Sequence, residues 1–204
     1  NWQANGNFIL EEGGSIYDFY MRDFAGVDPV NGAALFWTDP VQGNDPYERV
    51  ELTENYAEAR QYRIGKSAIP DVYGGFGFNV AYKGFDLGVD FAYQLGGYSS
   101  DGVWLTGMSL APGGGLHSDF SKTWTPDNTS ASLPRVDVDD PKQYYSGSSM
   151  SLIKSDYLSI QNISFGYTFD TKVANKLGLN RLRFYGLTDN VHLWSKRQGF
   201  DPRQ

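Results

Sequence analysis

Hydrophobic and polar residues alternate most cleanly between residues 73 and 95. Phe76, Phe78, Val80 and Tyr82 alternate with Gly75, Gly77, Asn79 and Ala81. Phe85, Leu87, Val89, Phe91, Tyr93 and Leu95 then alternate with Asp86, Gly88, Asp90, Ala92 and Gln94. Period 2 over both runs predicts two strands, each with one apolar and one polar face. Only Lys83 and Gly84 separate them, a connection short enough to close an antiparallel hairpin. Each run is about ten residues, longer than a common soluble strand and matched to a tilted bilayer crossing.

The same period recurs in weaker form. Tyr17, Phe19 and Met21 alternate with Asp18, Tyr20 and Arg22, predicting a strand over 15–24. In 157–169, Ile163, Phe165, Tyr167 and Phe169 share one face and Ser164, Gly166 and Thr168 the other. Leu158 and Ile160 fall out of phase with them. A β-bulge near Gln161 and Asn162 would restore the phase, and an inward-facing pair against a plug would account for it equally. Residues 181–194 read as a weaker strand and 2–10 as another. The resulting count, about six strands, is too small to close a single-chain membrane barrel.

Connections between these runs alternate in length. Glu11 to Gly14, Lys83 to Gly84 and Asp170 to Asn180 are short, whereas 25–72 and 96–155 are long and rich in Pro, Gly, Asp and Ser. Soluble domains rarely carry structureless connections of that size, but outer-membrane barrels combine short periplasmic turns with long extracellular loops. The asymmetry predicts that the Lys83 turn is periplasmic and that 25–72 and 96–155 are external.

Composition narrows the picture. The 204 residues carry a net charge of −7, from 17 Lys plus Arg against 24 Asp plus Glu, so no basic face for nucleic acid is expected. The absence of cysteine excludes a disulfide scaffold, a thiolate metal site and a cysteine nucleophile. No run approaches the ~18 apolar residues of a membrane-spanning helix. The mean hydropathy of −0.45 does not exclude a barrel, because only every second residue of a membrane strand must be apolar. High glycine and aromatic content also suits a secreted lectin-like sandwich. The ends, "NWQANGNFIL" and "GFDPRQ", read as cut, so a piece of a longer protein is expected.

Enzymatic constellations are thin, and no catalytic residue, metal site or cofactor is expected. His117 and His192 share no metal-site spacing with carboxylates. Glu11 with Glu12, and Asp139 with Asp140, are adjacent pairs whose side chains point apart, whereas glycoside hydrolysis needs two carboxyls facing one bond. Gly113 to Gly115 lack the strand, helix and Lys-Ser or Lys-Thr context of a phosphate cradle. "DVDD" at 137–140 could offer oxygen ligands to calcium or could be a solvated loop. The glycosylation-type triplets at Asn128 and Asn162 carry little weight, since Asn162 falls within a strand. Trp37, Tyr98, Trp104 and Trp124 lie in the long connections, where a flat ring can stack on a sugar, pack a partner protein, or simply pack the loops together. Arg22, Asp86 and Asp90 are candidates for a wet lumen face or for pairing with a plug.

Four ordered blocks carry a family resemblance: "AGVDPVNG" at 25–32, "GGFGFNVAYKGFDLGVDFAYQLGG" at 74–97, "SDYLSIQNISFGYTF" at 155–169 and "LRFYGLTDNVHLWSKRQGFDP" at 182–202. Together they resemble the C-terminal part of SusC/RagA-type TonB-dependent transporters of Bacteroidetes. The resemblance implies an all-β, antiparallel transmembrane barrel of the 22-stranded type, of which residues 1–204 would be roughly the last quarter. The plug domain, the TonB box and the final strand would lie outside these residues. It further implies a bacterial outer-membrane location and import of oligosaccharides or peptides without covalent chemistry. The implied partners are a SusD-like surface lipoprotein acting as a lid, the TonB complex acting through the N-terminal part, and a dimer of transporter–lipoprotein pairs. Two other classes remain open at this point. One is a soluble all-β glycan-binding module with Trp104 and Trp124 on the glycan, and the other is a passive outer-membrane porin.

Overall fold

The structure is a computed structural model that describes residues 2–39, 48–108, 110, 115–137 and 147–203. Among the described residues the order is β1 (Trp2–Asn5), β2 (Phe8–Glu11), β3 (Asp18–Arg22), β4 (Phe24–Val27), β5 (Ala34–Thr38), β6 (Glu51–Thr53) and β7 (Gln61–Ser67). There follow β8 (Val72–Tyr82), β9 (Phe85–Leu95), β10 (Tyr98–Ser100), α1 (Gly102–Gly107), β11 (Leu152–Lys154), β12 (Tyr157–Thr168), α2 (Thr171–Lys176) and β13 (Arg183–Ser195). The chain divides into two compact units: Asn1–Ile69 with Tyr98–Ile153, and Pro70–Gly97 with Lys154–Gln204.

The second unit is a four-stranded antiparallel sheet in the order β13-β12-β9-β8. Its hairpin turns at Lys83 and Gly84, both left-handed with φ of 46° and 91°. Two positive φ values are what a two-residue turn needs to match the twist of its strands. Glycine at position 84 is doubly required, because a Cβ there would also lie 2.5 Å from the Thr168 carbonyl oxygen. The sequence expectations for β8, β9 and the turn are met to within a residue or two.

The predicted bulge is present: register shifts between Ile160 and Asn162 against both neighbouring strands. It returns Leu158 and Ile160 to the apolar face, opposite Tyr93 and Phe91. On the partner strand Asn190 takes up the irregularity with a φ of 51°, a conformation asparagine tolerates better than most residues. The run read as weak, 181–194, is the longest strand of the chain at 13 residues. Asp170 caps α2 by accepting the Lys172 N–H at 2.8 Å, so the short connection between β12 and β13 is a helical turn.

The first unit departs from expectation. Residues 25–72 and 96–155 were expected as loops, yet they carry β4 to β7, β10, α1 and β11. Ala34, Phe36, Ala59, Trp104 and Met108 form a buried core there, with Phe24, Tyr56 and Phe120 against it. Strands of three to seven residues broken by Pro, Gly and Asp are too short to show a period, which is why this core is invisible to pattern reading. The strand expected over 15–24 is confined to Asp18–Arg22, and Phe19, Tyr20 and Met21 within it are buried in succession rather than alternating. The strand expected over 2–10 is a hairpin of β1 and β2, turned at Gly6 with φ of 62°.

Candidate functional site

The long sheet has two chemically opposed faces, each assembled by register. Phe78, Val89 and Ile163 form one cross-strand row, and Tyr82, Phe85, Tyr167 and Phe184 another. Phe76 and Phe91 stack with ring centroids 4.8 Å apart, and Phe85 meets Tyr167 at 4.4 Å. Large members of this face stay open, with Phe78 47% and Phe184 65% exposed. Val89 is the exception at 9%, hemmed in by the larger rings around it.

On β8, β9 and β12 the opposite face is built largely from small and polar residues, and glycines make its contacts possible. Gly166 of β12 lies between Asp86 of β9 and Arg183 of β13, whose side chains meet above it at 2.6 Å. Gly88 stands between Asn79 and Ser164, and a Cβ there would come within 2.6 Å of both side-chain oxygens. Gly77 leaves room for the carboxylate of Asp90. In the same row Asn162 donates its amide to Asp189 at 2.7 Å. Gln94 donates to the Ser155 hydroxyl at 2.9 Å. The carboxylates Asp86, Asp90 and Asp189 therefore share this face with the single guanidinium of Arg183. It can hold water, a hydrogen-bonding chain or cationic groups.

Asp86 and Asp90 both lie on the polar face of the sheet. Arg22 does not join them. It belongs to β3 of the other unit, its guanidinium lies 4.4 Å from the Tyr56 ring centroid, and its Nε is buried without a hydrogen-bond partner. Arg183, Asn162 and Asp189 are polar-face residues that pattern reading did not single out. Their signal was the parity of β12 and β13, legible only once the bulge is placed.

The aromatic candidates separate. Trp104 is a correction: it is 8% exposed, sits in α1, and donates its indole N–H to Asp119 at 3.0 Å as part of the first unit's core. Asp101 caps α1 by accepting the Trp104 N–H at 2.9 Å. Trp37 is on a strand, β5, rather than in a loop, and is half-buried. Tyr98 is on β10 with the Lys66 ammonium 4.8 Å from its ring centroid. Trp124 covers Gly32, which has φ of 74°, and donates its indole N–H to the Pro29 carbonyl at 3.2 Å. It thereby clamps the tight turn that follows β4.

Asp119 is the one shifted group beside these rings. Its hydrogen bond from the Lys122 ammonium, 2.6 Å away, holds the carboxyl below the usual carboxylate range, with the Trp104 indole N–H helping and partial burial opposing. His117 accepts the Asp119 backbone N–H on Nδ1 at 3.1 Å, and the same nitrogen lies 3.5 Å from Asp119 Oδ2. His192 packs edge-on against Trp194 at 4.4 Å. Glu11 is paired with Arg63 at 3.0 Å. Among the described residues no group of three or more His, Asp or Glu is placed to hold a metal. Asp137 lies 3.5 Å from Arg135, while residues 138–140, including Asp139 and Asp140, and Gly113 and Gly114 lie outside the described residues.

A long antiparallel sheet with an exposed apolar face, a polar reverse face and β8 and β13 as its edge strands is a piece of barrel wall. The chain is homologous to TonB-dependent receptors. One such receptor of Formosa agariphila is 27% identical over 199 residues, covering 95% of this chain and 19% of the relative. A second from the same organism is 25% identical over 154 residues, covering 72% of this chain and 14% of the relative. Among solved structures, the RagAB peptide importer in its open-open state matches with a TM-score of 0.75 and 27% identity, covering 98% of this chain and 21% of that one. Its closed-closed state matches at 0.72 and 26% identity, over 98% of this chain and 22% of that one. The chain thus spans about 19% of the length of the first curated relative. No protein-family model matches it.

Proposed function

We propose that the chain is part of the barrel of a TonB-dependent importer in a bacterial outer membrane, with the second unit as wall. The observation that carries this is the two-faced sheet. Phe76, Phe78, Val80, Leu87 and Phe165 present an exposed apolar band, and Asp86, Asp90, Asn79 and Asp189 lie on the reverse. A bilayer solvates the first face, and a wet lumen with a plug solvates the second. Edge strands in lipid require further strands to satisfy their backbone, which the rest of the barrel supplies.

The cargo in this reading is an oligosaccharide or a peptide too large for passive diffusion. A SusD-like lipoprotein closes over the external side, and the TonB complex supplies the work through the plug. Similarity to the RagAB peptide importer supports this arrangement. Trp37, Tyr98 and Trp124 are candidates to touch cargo or lid. The test is uptake of labelled peptides and oligosaccharides by cells carrying the full-length protein, with and without TonB, together with co-purification of a lipoprotein. TonB-dependent uptake of one cargo class is expected. Passive conductance in planar bilayers without an energised partner would replace this reading with a porin, and full solubility without detergent would replace it with a glycan-binding module.

A further inference from the structure

Both short connections of the long sheet lie at one end of it, Lys83–Gly84 between β8 and β9 and residues 169–182 between β12 and β13. They are neighbours there, since the Thr168 N–H donates to the Gly84 carbonyl at 2.7 Å. Together they carry Lys83, Lys172, Lys176 and Arg181, all exposed, against the single carboxylate of Asp170. Four cations against one anion leave this end strongly basic in a chain whose net charge is −7. Among the described residues none of the four cations is in an ion pair. One row further in, Arg183 and Asp86 are paired with each other at 2.6 Å and leave the balance unchanged. The other end of the same sheet is mixed, with Lys154, Lys196, Arg197 and Arg203 among Asp71, Asp156 and Asp201.

The basic end also exposes apolar side chains. Gly178, with φ of 72°, closes α2, and the Leu179 N–H donates back to the Ala174 carbonyl at 3.0 Å, which fixes the turn that carries the exposed Leu177 and Leu179. The aromatic row of Tyr82, Phe85, Tyr167 and Phe184 is the last row of the apolar face before the connections. The Lys83 ammonium lies 5.1 Å from the Tyr82 ring centroid, so cation and aromatic row meet.

We propose that this end of the sheet is a docking surface for anionic phospholipid headgroups, with Lys83, Lys172, Lys176 and Arg181 as the phosphate-facing cations. The inference rests on the barrel-wall reading above. An aromatic row bordering an apolar band suits the level where acyl chains meet headgroups, and long basic side chains just beyond it can lay their stems on apolar surface and their charges among phosphates. Charge selects the headgroup, because each cation near an anionic surface gains attraction that a zwitterionic surface does not give. Exposed leucines beside the cations favour a membrane over a dissolved anion, which would offer those side chains nothing.

The test uses the full transporter containing this chain, reconstituted in vesicles of phosphatidylcholine with increasing fractions of brominated-chain phosphatidylglycerol or brominated-chain phosphatidylcholine. A Phe184→Trp reporter in the aromatic row, read as the difference from the parent protein, measures lipid association at this end. The phosphatidylglycerol probe is expected to associate about fivefold more strongly than the phosphatidylcholine probe, and added salt to narrow the difference. Lys172→Gln, Lys176→Gln and Arg181→Gln combined are expected to bring the two probes to parity, while Lys196→Gln at the mixed end leaves the preference intact. Equal association of the two lipids in the parent overturns the proposal and leaves the cations to an acidic protein partner. A preference that survives the triple substitution, or that Lys196→Gln removes as fully, overturns it as well. A Leu87→Trp reporter separates the two levels of the argument: quenching there by both lipids upholds the lipid-facing band even if the basic end shows no selectivity. No quenching at Leu87→Trp overturns the barrel-wall reading itself.

Discussion

Arg183 and Asp86 meet at 2.6 Å although their strands are not neighbours; β12 runs between them, and their contact passes over Gly166. Any side chain at 166 would occupy the space of that ion pair. Both partners are more than one-third exposed, so the pair itself contributes little, on the order of 1 kcal/mol or less. A double-mutant cycle with Asp86→Asn and Arg183→Met, read by unfolding of the full-length protein in detergent, is expected to give a coupling of that size. In a Gly166→Val background the same cycle is expected to give none. A coupling that persists there would mean that the two side chains do not need the glycine.

The hairpin turn gives a larger effect. Gly84 has φ of 91° and the Thr168 carbonyl close to its missing Cβ, while the Thr168 N–H donates to the Gly84 carbonyl at 2.7 Å. Gly84→Ala must strain the backbone and push β12 away, at a cost of about 1–3 kcal/mol. Lys83→Asn, which places a better left-handed residue at a φ of 46°, is expected to be neutral or slightly stabilising. Denaturation midpoints of the two variants check the contrast. Equal loss in both would show that side-chain contacts of Lys83, not turn geometry, hold the hairpin.

What the sequence revealed and what it hid follow one physical rule. Strands β8, β9 and β12 are long and two-faced, so each residue's environment repeats every second position and can be read from Phe76 to Leu95 and from Ile163 to Tyr167. Strand β13 looked weak because Asn190 and Val191 interrupt the parity opposite the bulge, and because Tyr185 and Leu187 put apolar groups on its polar face. The core around Phe36 and Trp104 brings together residues about 70 positions apart on elements of a few residues, so no local window contains it. The site was legible to the same extent: Asp86 and Asp90 came from periodicity, while Arg183 and Asp189 needed pairing. Trp104 was misread because a tryptophan in a glycine-rich connection is taken for a surface ring until its Asp119 partner is seen.

That partner makes the first unit sensitive to acid. The Lys122 bond lowers the Asp119 carboxyl in the folded state relative to the unfolded chain, so its stabilising contribution is present above the ordinary carboxylate range and is lost as pH falls through the lowered folded value. As pH falls below the ordinary carboxylate range the environment of Trp104 should loosen, visible as a red shift of its fluorescence after subtraction of a Trp104→Phe variant. Asp119→Asn is expected to remove this acid dependence, because the amide cannot titrate and still accepts the indole N–H. Persistence of the full acid transition in Asp119→Asn would assign it to another carboxylate.

Phe78 and Asn79 are adjacent in β8, near the middle of the hairpin, and point to opposite faces. Phe78 is opposite Val89 on the apolar face, and Asn79 is opposite Gly88 on the polar one. If the apolar face meets lipid, Phe78→Arg places a charge near the bilayer midplane and should cost about 2–4 kcal/mol beyond the loss of the ring, with Phe78→Ala as the reference for that loss. Asn79→Arg lies at the same depth but reaches a wet face that carries Asp86, Asp90 and Asp189, so its charge should be tolerated and even welcomed. Folding yield of the full-length barrel into vesicles, followed with denaturant, measures both. Equal penalties at the two positions would mean that both faces see the same medium, which a barrel wall does not allow, and would return the sheet to a soluble sandwich. A large penalty at 79 alone would reverse the assignment of lipid and lumen.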